Sequence, residues 1–299
     1  MAFRLTVNQS VAAGLRRVAR EELNSLSKHL SGAAPPRGEA IHEVRKSVKK
    51  LSAILQVVDA DNGRGLAKDA NRLHTIHHRL SALRDADVML DTLRKLRVKD
   101  RRILTEQCFA RVQRRLSSHK KLAMKAARRK RTWRRIARSL RKVRRDARHW
   151  TPRHRQFGSL AAGIRRTHQQ GRKAMARAEG RQRAADFHNW RKQVKALWYE
   201  LRLLEGSTPR VRRDVQALHR AEAWLGDEHN VVVLCAELAK DEPHGESRID
   251  LDRVRLAGDR YQSELRTKAL AITKRIYERK PREYAEAIRR EWKNKETSN

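Results

Sequence analysis

The chain has 299 residues, of which 72 are Lys or Arg and 34 are Asp or Glu, and its formal net charge is +38. Apolar residues make up 39% of the chain, which is enough for a packed core and excludes a generically disordered protein. An excess of one charge this large repels itself in the compact state. The composition therefore predicts an anionic partner, such as nucleic acid, an anionic membrane surface or an inorganic polyanion.

The two cysteines, Cys108 and Cys235, provide neither a disulfide framework nor a metal-ligand spacing, which favours a reducing setting. The N-terminal residues contain no apolar run long enough for a secretory signal. The longest apolar run, 231–236, is far too short to span a membrane. We therefore expect a cytoplasmic protein without membrane insertion, and the sequence indicates no cofactor.

Helix-breaking residues are few, with 6 prolines and 13 glycines, and they gather near Pro35, Gly63, Pro152 and Pro243. The segments between these points are rich in Ala, Leu, Arg, Lys and Glu, which are strong helix formers. No stretch shows the sustained alternation of a strand. The sequence therefore predicts an all-α fold of about eight to ten helices.

The sequence contains an internal repeat. Three blocks recur in the same order, which are 10–17 with 159–166, 41–51 with 187–197, and 66–93 with 211–238. The first pair is identical at six of eight positions, and the third aligns without gaps. This pattern predicts two homologous halves, 1–150 and 151–299, joined near Thr151. Each half has enough helices for a four-helix type of bundle.

The second block predicts a basic stripe on a helix. At about 100° per residue, the apolar and basic residues of this block separate onto opposite faces. The stripe consists of His42, Arg45, Lys46 and Lys49 in the first copy, and of His188, Arg191, Lys192 and Lys195 in the second. We expect no Glu or Asp partners at the i,i+3 or i,i+4 positions of this face, so the pattern favours anion binding over a solvated basic surface.

Histidines and further arginines accompany the stripe. His42 and His188, taken singly, are best interpreted as ordinary histidines that are exposed or satisfied by hydrogen bonds. Beside three cations, an imidazole should be mostly neutral until an anion binds. The arginines after the Ala-Ala-Gly stretch either extend the same surface or are ordinary exposed helical residues; they are Arg16, Arg17, Arg165 and Arg166.

These motifs resemble the CHAD domain, the conserved histidine α-helical domain, over nearly the whole chain. His42, Arg45 and Lys49 match the family's name-giving motif, and Lys50 fits its basic pair. The second copy repeats the motif at His188, Arg191 and Lys195, but Ala196 departs from the basic pair. Leu83–Val88 and Trp224–Val231 are similar to further family segments.

The resemblance implies two basic helical bundles, related by pseudo-two-fold symmetry, with a central channel or cleft formed by both. It implies binding of inorganic polyphosphate there and association with polyphosphate granules. The family's catalytic relatives carry a separate triphosphate tunnel domain with a Glu-x-Glu-x-Lys pattern, which this sequence lacks, so we expect a stand-alone binding protein and no enzyme. The alternative is a helical protein that binds nucleic acid.

The segment 111–150 is dense in Lys and Arg, with Asp146 as its one acidic residue and Arg128–Arg131 as its sharpest cluster. It is either an additional polyanion contact or a helix whose arginines are solvated. In the second case its apolar residues should face inward, namely Leu122, Trp133, Ile136, Leu140 and Val143.

Other residues have structural interpretations. His74 and His78 have the i,i+4 spacing of metal ligands, but no further ligand completes a site. Asp85 and Asp87 are best interpreted as an N-cap and a first-turn charge of a helix. Trp190, Trp198 and Trp224 are expected in the core rather than stacked on bases.

Overall fold

A computed structural model of the protein describes residues 3–6, 8–30, 38–62, 66–127, 130–150, 157–206, 208–240 and 244–297. Within these ranges, the side chains of residues 30, 38–40, 59–62, 81–86, 120–127, 130–133 and 159 are not described. All regular structure in these ranges is helical, which confirms the all-α prediction.

The helices of the first half are α1 (Val11–Leu30), α2 (Gly38–Asn62), α3 (Ala67–Lys99), α4 (Glu106–Ala127) and α5 (Lys130–Asp146). A short 3₁₀ helix, Ala147–His149, follows α5. The second half contributes α6 (Gly158–Arg181), α7 (Ala184–Arg202), α8 (Pro209–Ala239), α9 (Glu246–Tyr277) and α10 (Pro281–Thr297). Each half thus contributes five described α-helices in sequence. The repeat itself stays a prediction from the sequence, and its expected boundary near Thr151 lies outside the described residues.

The capping interpretation of Asp85 and Asp87 is wrong, because α3 continues through both positions without interruption. A true cap opens α8, where Thr208 Oγ1 accepts a hydrogen bond from the Val211 backbone N–H at 3.2 Å and Pro209 stands in the first turn. The α3 and α8 helices are therefore long and continuous, with 33 and 31 residues.

The hydrophobic core forms two clusters, and both draw on both halves of the chain. The larger cluster joins α1, α2, α5, α6, α7 and α10 with the N-terminal parts of α3 and α8 and the C-terminal part of α9. The smaller cluster joins the C-terminal parts of α3 and α8 with α4 and the N-terminal part of α9. Packing in each cluster therefore ties the two halves together.

The basic segment 111–150 behaves as an amphipathic helix at its C-terminal end. Ile136, Leu140 and Val143 are buried, as predicted, and the arginines between them are exposed. The side chains of Leu122, of Trp133 and of all four residues Arg128–Arg131 lie outside the described part of the structure. None of the described helices is long and apolar enough to cross a membrane.

Candidate anion-binding site

The site is built on α2 and α7, which contact each other and turn their apolar faces into the larger core cluster. The predicted apolar residues are buried in both copies, at Val44, Val48, Leu51 and Leu55 of α2, and at Phe187, Trp190, Val194, Leu197 and Leu201 of α7. The helical periodicity of the sequence is confirmed on both helices. Burial of these faces fixes the direction of the basic residues opposite them.

Four basic side chains from the two helices form one group, which we call the cation cluster, consisting of Arg45, Lys49, Arg191 and Lys195. Lys195 of α7 lies close enough to Lys49 of α2 to contribute to the lowering of the pKa of Lys49. Arg45 is 9% exposed, and the other three are half-buried. The stripes therefore meet rather than cover two separate surfaces.

Glu222 of α8 supplies a carboxylate to the α7 side of the cation cluster. Its Oε1 accepts a hydrogen bond from Arg191 Nη2 at 2.9 Å and from Lys195 Nζ at 2.5 Å. Burial opposes ionisation of Glu222, but Lys195 and Arg191 together outweigh burial and lower its pKa to about 2. Glu222 is therefore a permanent internal anion.

Lys49 occupies the opposite side of the cation cluster, where repulsion dominates. Burial lowers its pKa to about 6, with further contributions from Lys195 and Arg45, and Glu222 opposes the change too weakly to reverse it. Lys195 also has a lowered pKa because of burial, but its contact with Glu222 favours its charged form. Of the two lysines, Lys49 is therefore mostly neutral at neutral pH, and Lys195 has the carboxylate of Glu222 as its hydrogen-bond partner.

His77 of α3 completes the surroundings of the cation cluster. Burial, the largest cause, and Arg45, Lys49 and Lys195 together lower its pKa to about 3. The imidazole is therefore neutral throughout the physiological range. A neutral ring limits the positive charge at this point while it can still donate one hydrogen bond.

Gly226 of α8 makes room for the guanidinium of Arg191. A Cβ atom at this position would lie 3.2 Å from Arg191 Nη2 and 3.4 Å from Nε. Alanine would press on the guanidinium from below and displace it from Glu222. The glycine of the Trp224–Val231 segment therefore has a steric role in placing one cation.

Two histidines pack against each other beside the cation cluster, with their rings tilted by 37°. The rings of His188 and His229 are 4.1 Å apart between centroids. Burial lowers the pKa of His188, with Lys192 and Arg191 adding to the effect, and burial and His188 lower that of His229 to about 4. This direction agrees with the expectation that His188 is neutral beside the cations, with burial as the larger cause.

The remaining stripe residues lie at the exposed edge. His42, Lys46 and Lys192 are exposed. The expectation that the stripe lacks acidic partners is wrong for Lys46, whose Nζ lies 3.3 Å from Glu43 Oε1 three residues earlier. This pair is nearly half exposed and contributes little stability.

Lys50 points away from the cation cluster toward α1. Its Nζ lies 2.5 Å from Glu22 Oε1, with both side chains largely buried, and 5.4 Å from the centre of the Phe3 ring. The second lysine of the basic pair is therefore neutralised between helices. The alanine at the equivalent position of the second copy, Ala196, therefore does not remove a cation from the cation cluster.

The four arginines of the first repeat block have separate surroundings. Arg16, Arg165 and Arg166 are exposed. Arg17 donates to Glu21 Oε1 at 3.0 Å and to the Arg4 carbonyl at 2.8 Å, so it holds the N-terminal segment on α1. A ligand contact by any of the four stays a prediction.

Periodicity on α2 and α7 does not identify the residues contributed by α3 and α8, namely His77, Glu222, Gly226 and His229. A signal was present, because His219, Glu222, Gly226 and His229 are spaced by three, four and three residues along α8 and so share one face. His219 stacks on Trp198 with 4.7 Å between ring centroids. Trp190 is fully buried as predicted, and Trp198 and Trp224 are partly buried against the core.

His74 and His78 both lie exposed on α3. Within the described ranges, no three His, Cys, Asp or Glu side chains are placed to hold a metal ion. The site is thus a group of cations and histidines, with an internal carboxylate.

Comparisons with known proteins agree with this architecture. The family model described as the CHAD domain matches residues 17–239. The fold is similar to a solved structure, the crystal structure of the CHAD domain from the plant Ricinus communis, with a TM-score of 0.59 and 21% identity. The match covers 98% of this chain and 96% of that chain. No individual curated protein matches the sequence.

Proposed function

Because the chain belongs to the CHAD domain family, we propose that it binds inorganic polyphosphate at the cation cluster, in a cleft between its two halves. The observation that carries this proposal is the grouping of the cations, in which burial, Lys195 and Arg45 lower the pKa of Lys49 to about 6. Holding a proton on Lys49 therefore costs free energy in the free protein, and an anion with several charged oxygens would reverse that cost.

Buried polar atoms without hydrogen-bond partners also support polyphosphate as the ligand. Arg191 Nε and His188 Nδ1 are buried and have no hydrogen-bond partner among the described residues. Buried polar atoms are normally satisfied. The oxygens of a phosphate chain accept hydrogen bonds in several directions, so they suit guanidinium and imidazole donors together.

A linear chain suits this site better than a duplex does. The cations are half-buried and come from two helices that contact each other, so a ligand must be narrow to meet both. A DNA duplex is a wide, stiff rod whose phosphates follow its outer surface. The exposed arginines of α5 would suit such a surface and are the feature that favours nucleic acid.

The test is a competition among polyphosphate, duplex DNA and heparin for the full chain at physiological salt, measured by fluorescence anisotropy. Polyphosphate should displace the other two at matched charge concentration, and all binding should weaken as salt rises. Equal affinity for DNA and polyphosphate would favour the nucleic-acid function and reject the specific proposal.

The cellular consequences follow from binding alone. We expect the protein to work in the cytoplasm and to associate with polyphosphate granules. We expect no hydrolysis, because no general base and metal set is assembled with the cation cluster in the described residues.

A further inference from the structure

The exposed face of α5 is a second basic surface, carried by a different helix from those of the cation cluster. Three exposed arginines on successive turns form what we call the α5 arginine row, which consists of Arg134, Arg138 and Arg141. At about 100° per residue, these three fall within about 60° of one another, on the side of α5 opposite its buried residues. Arg135 and Lys142 flank the row and are also exposed.

The α5 arginine row is held on a fixed support. The residues that anchor α5 in the larger core cluster are Ile136, Leu140 and Val143. Near the C-terminal end of α5, Arg72 of α3 forms an ion pair with Asp146. On another side, Arg144 Nη1 donates a hydrogen bond to Ser27 Oγ of α1 at 3.3 Å. Packing on α1 and α3 therefore sets the direction of the row before any ligand arrives.

The protein does not neutralise the α5 arginine row itself. Among the described residues, none of its three arginines forms an ion pair with an acidic side chain. The one acidic residue of the segment 111–150 is Asp146, and it is shared by Arg72 and Arg145. The row therefore offers its full positive charge to an external anion.

The form of the row fits a nucleic-acid duplex. It extends about 10 Å along an exposed helix, so a wide rod with phosphates on its outside can lie against it, and guanidinium groups bind phosphate in a bidentate manner. The segment 134–146 contains no aromatic residue that could stack on unpaired bases. Its Ile, Leu and Val side chains are buried, so they are not free to enter a membrane.

We propose that the α5 arginine row binds the phosphate backbone of a nucleic-acid duplex, independently of the cation cluster. The two surfaces lie on different sides of α3, because Arg72, toward α5, and His77, toward the cation cluster, are about 140° apart around the helix axis. Phosphate contacts carry no sequence information, so duplexes of different sequence should bind alike. Together with the proposed function, on which this consequence alone rests, the protein would hold polyphosphate and a duplex on two faces.

The test titrates the full chain into a fluorescein-labelled DNA duplex of mixed sequence at several salt concentrations, measured by anisotropy. Replacing Arg138 and Arg141 together by Gln should weaken duplex binding at least about tenfold at physiological salt. The slope of log affinity against log salt should become shallower by about 2, since each phosphate contact contributes about 0.9. Both side chains are exposed, so the melting temperature should not change. Unchanged duplex affinity and slope would overturn the proposal.

A matched control removes the same charge from arginines that already have a partner. Arg248 and Arg255 of α9 are exposed and lie 3.3 and 3.4 Å from the carboxylate oxygens of Asp252. Replacing both by Gln should change duplex affinity by less than about twofold, because their charge is already offset. Equal losses in the two double variants would show that duplex binding follows net charge alone, and would also overturn the proposal.

A second comparison separates the two surfaces. Replacing Arg45 and Lys49 together by Gln should leave duplex affinity within about twofold, since no phosphate contact of the row is lost. An equal loss of duplex affinity in this variant and in the α5 variant would overturn the independence of the two surfaces. Tighter binding to vesicles of phosphatidylserine and phosphatidylcholine than to the duplex would overturn the choice of partner. Failure of polyphosphate to bind would reject the proposed function, whereas the duplex measurements would still decide the role of α5.

Discussion

The two stripes of the cation cluster are alike in sequence but not in electrostatics. Arg191 and Lys195 of α7 share the carboxylate of Glu222, whereas Arg45 and Lys49 of α2 face His77. In the gapless alignment of 66–93 with 211–238, His77 and Glu222 are equivalent positions. One exchange of residue type therefore gives Arg191 and Lys195 a shared carboxylate at the position where Arg45 and Lys49 face an imidazole.

We therefore expect the two stripes to have different roles. The α7 stripe is held in place by its internal anion, so its geometry is fixed before any ligand arrives. The α2 stripe faces the neutral ring of His77, and we expect a polyanion to gain most there. We therefore expect the two copies of the motif to differ in how much each depends on a ligand.

The largest expected effect is on the free energy of unfolding, when the two equivalent residues, Glu222 and His77, are each replaced by Gln. Glu222→Gln should lower the free energy of unfolding by about 3 kcal/mol, because it leaves Arg191 and Lys195 partly buried without a counter-ion. The matched variant His77→Gln replaces a neutral group by another and should cost well under about 1 kcal/mol. Urea denaturation measures both.

The same pair of variants tests the role of Glu222 toward ligand. In Glu222→Gln, polyphosphate should restore much of the lost stability, since the ligand replaces the missing anion, and its affinity should rise. Similar losses of stability in Glu222→Gln and His77→Gln would show that the two stripes do not differ in the way described.

The next largest effect is on affinity. Replacing Arg45 and Lys49 together by Gln should weaken polyphosphate binding on the order of a hundredfold, because two charged contacts are lost. Replacing Arg191 and Lys195 together should weaken it by about tenfold, since Glu222 already offsets part of their charge. Titration calorimetry measures both.

The free energy of unfolding should show the opposite order, with the larger loss in the α7 double variant. The α7 double variant leaves Glu222 buried without cations and should unfold at lower urea, whereas the α2 double variant removes repulsion and should not. A larger loss of affinity from the α7 pair would reverse the assignment of ligand binding to α2.

The smallest expected effect is a pH dependence of binding. In the free protein the pKa of Lys49 is about 6 because of burial, Lys195 and Arg45, so Lys49 is mostly neutral at pH 7.5. A bound polyanion raises this pKa, so binding takes up a proton. Affinity should therefore fall as pH rises above about 6, by at most about tenfold per pH unit for one proton. Titrations between pH 6 and 8 measure this slope.

Variants distinguish the groups that take up the proton. Lys49→Arg keeps the charge at all pH values and should flatten most of the slope. The sequence predicts that His42 and His188 take up the proton. A variant in which both histidines are replaced by Gln is therefore compared with Lys49→Arg. If the histidine variant is flat and Lys49→Arg keeps the full slope, the imidazoles take up the proton instead.

The sequence by itself determined the helical class, the position of the two stripes and the family. These follow from local rules, since Val44, Val48 and Leu51 must share one helical face whatever packs on it, and Arg45 and Lys49 must then face the other way. The direction of the His188 pKa was predictable in part, because Arg191 and Lys192 are on its own helix, whereas burial, the larger cause, depends on packing.

The tertiary structure alone decided which cations have partners. Glu222 and His77 come from helices far along the chain, and Lys50 finds Glu22 on α1, so no spacing within α2 or α7 reveals these contacts. The low pKa of Lys49 arises from burial and from a lysine of the other half. Coulomb interactions depend on distance in space and on local solvent, and both are set when helices distant in sequence pack together.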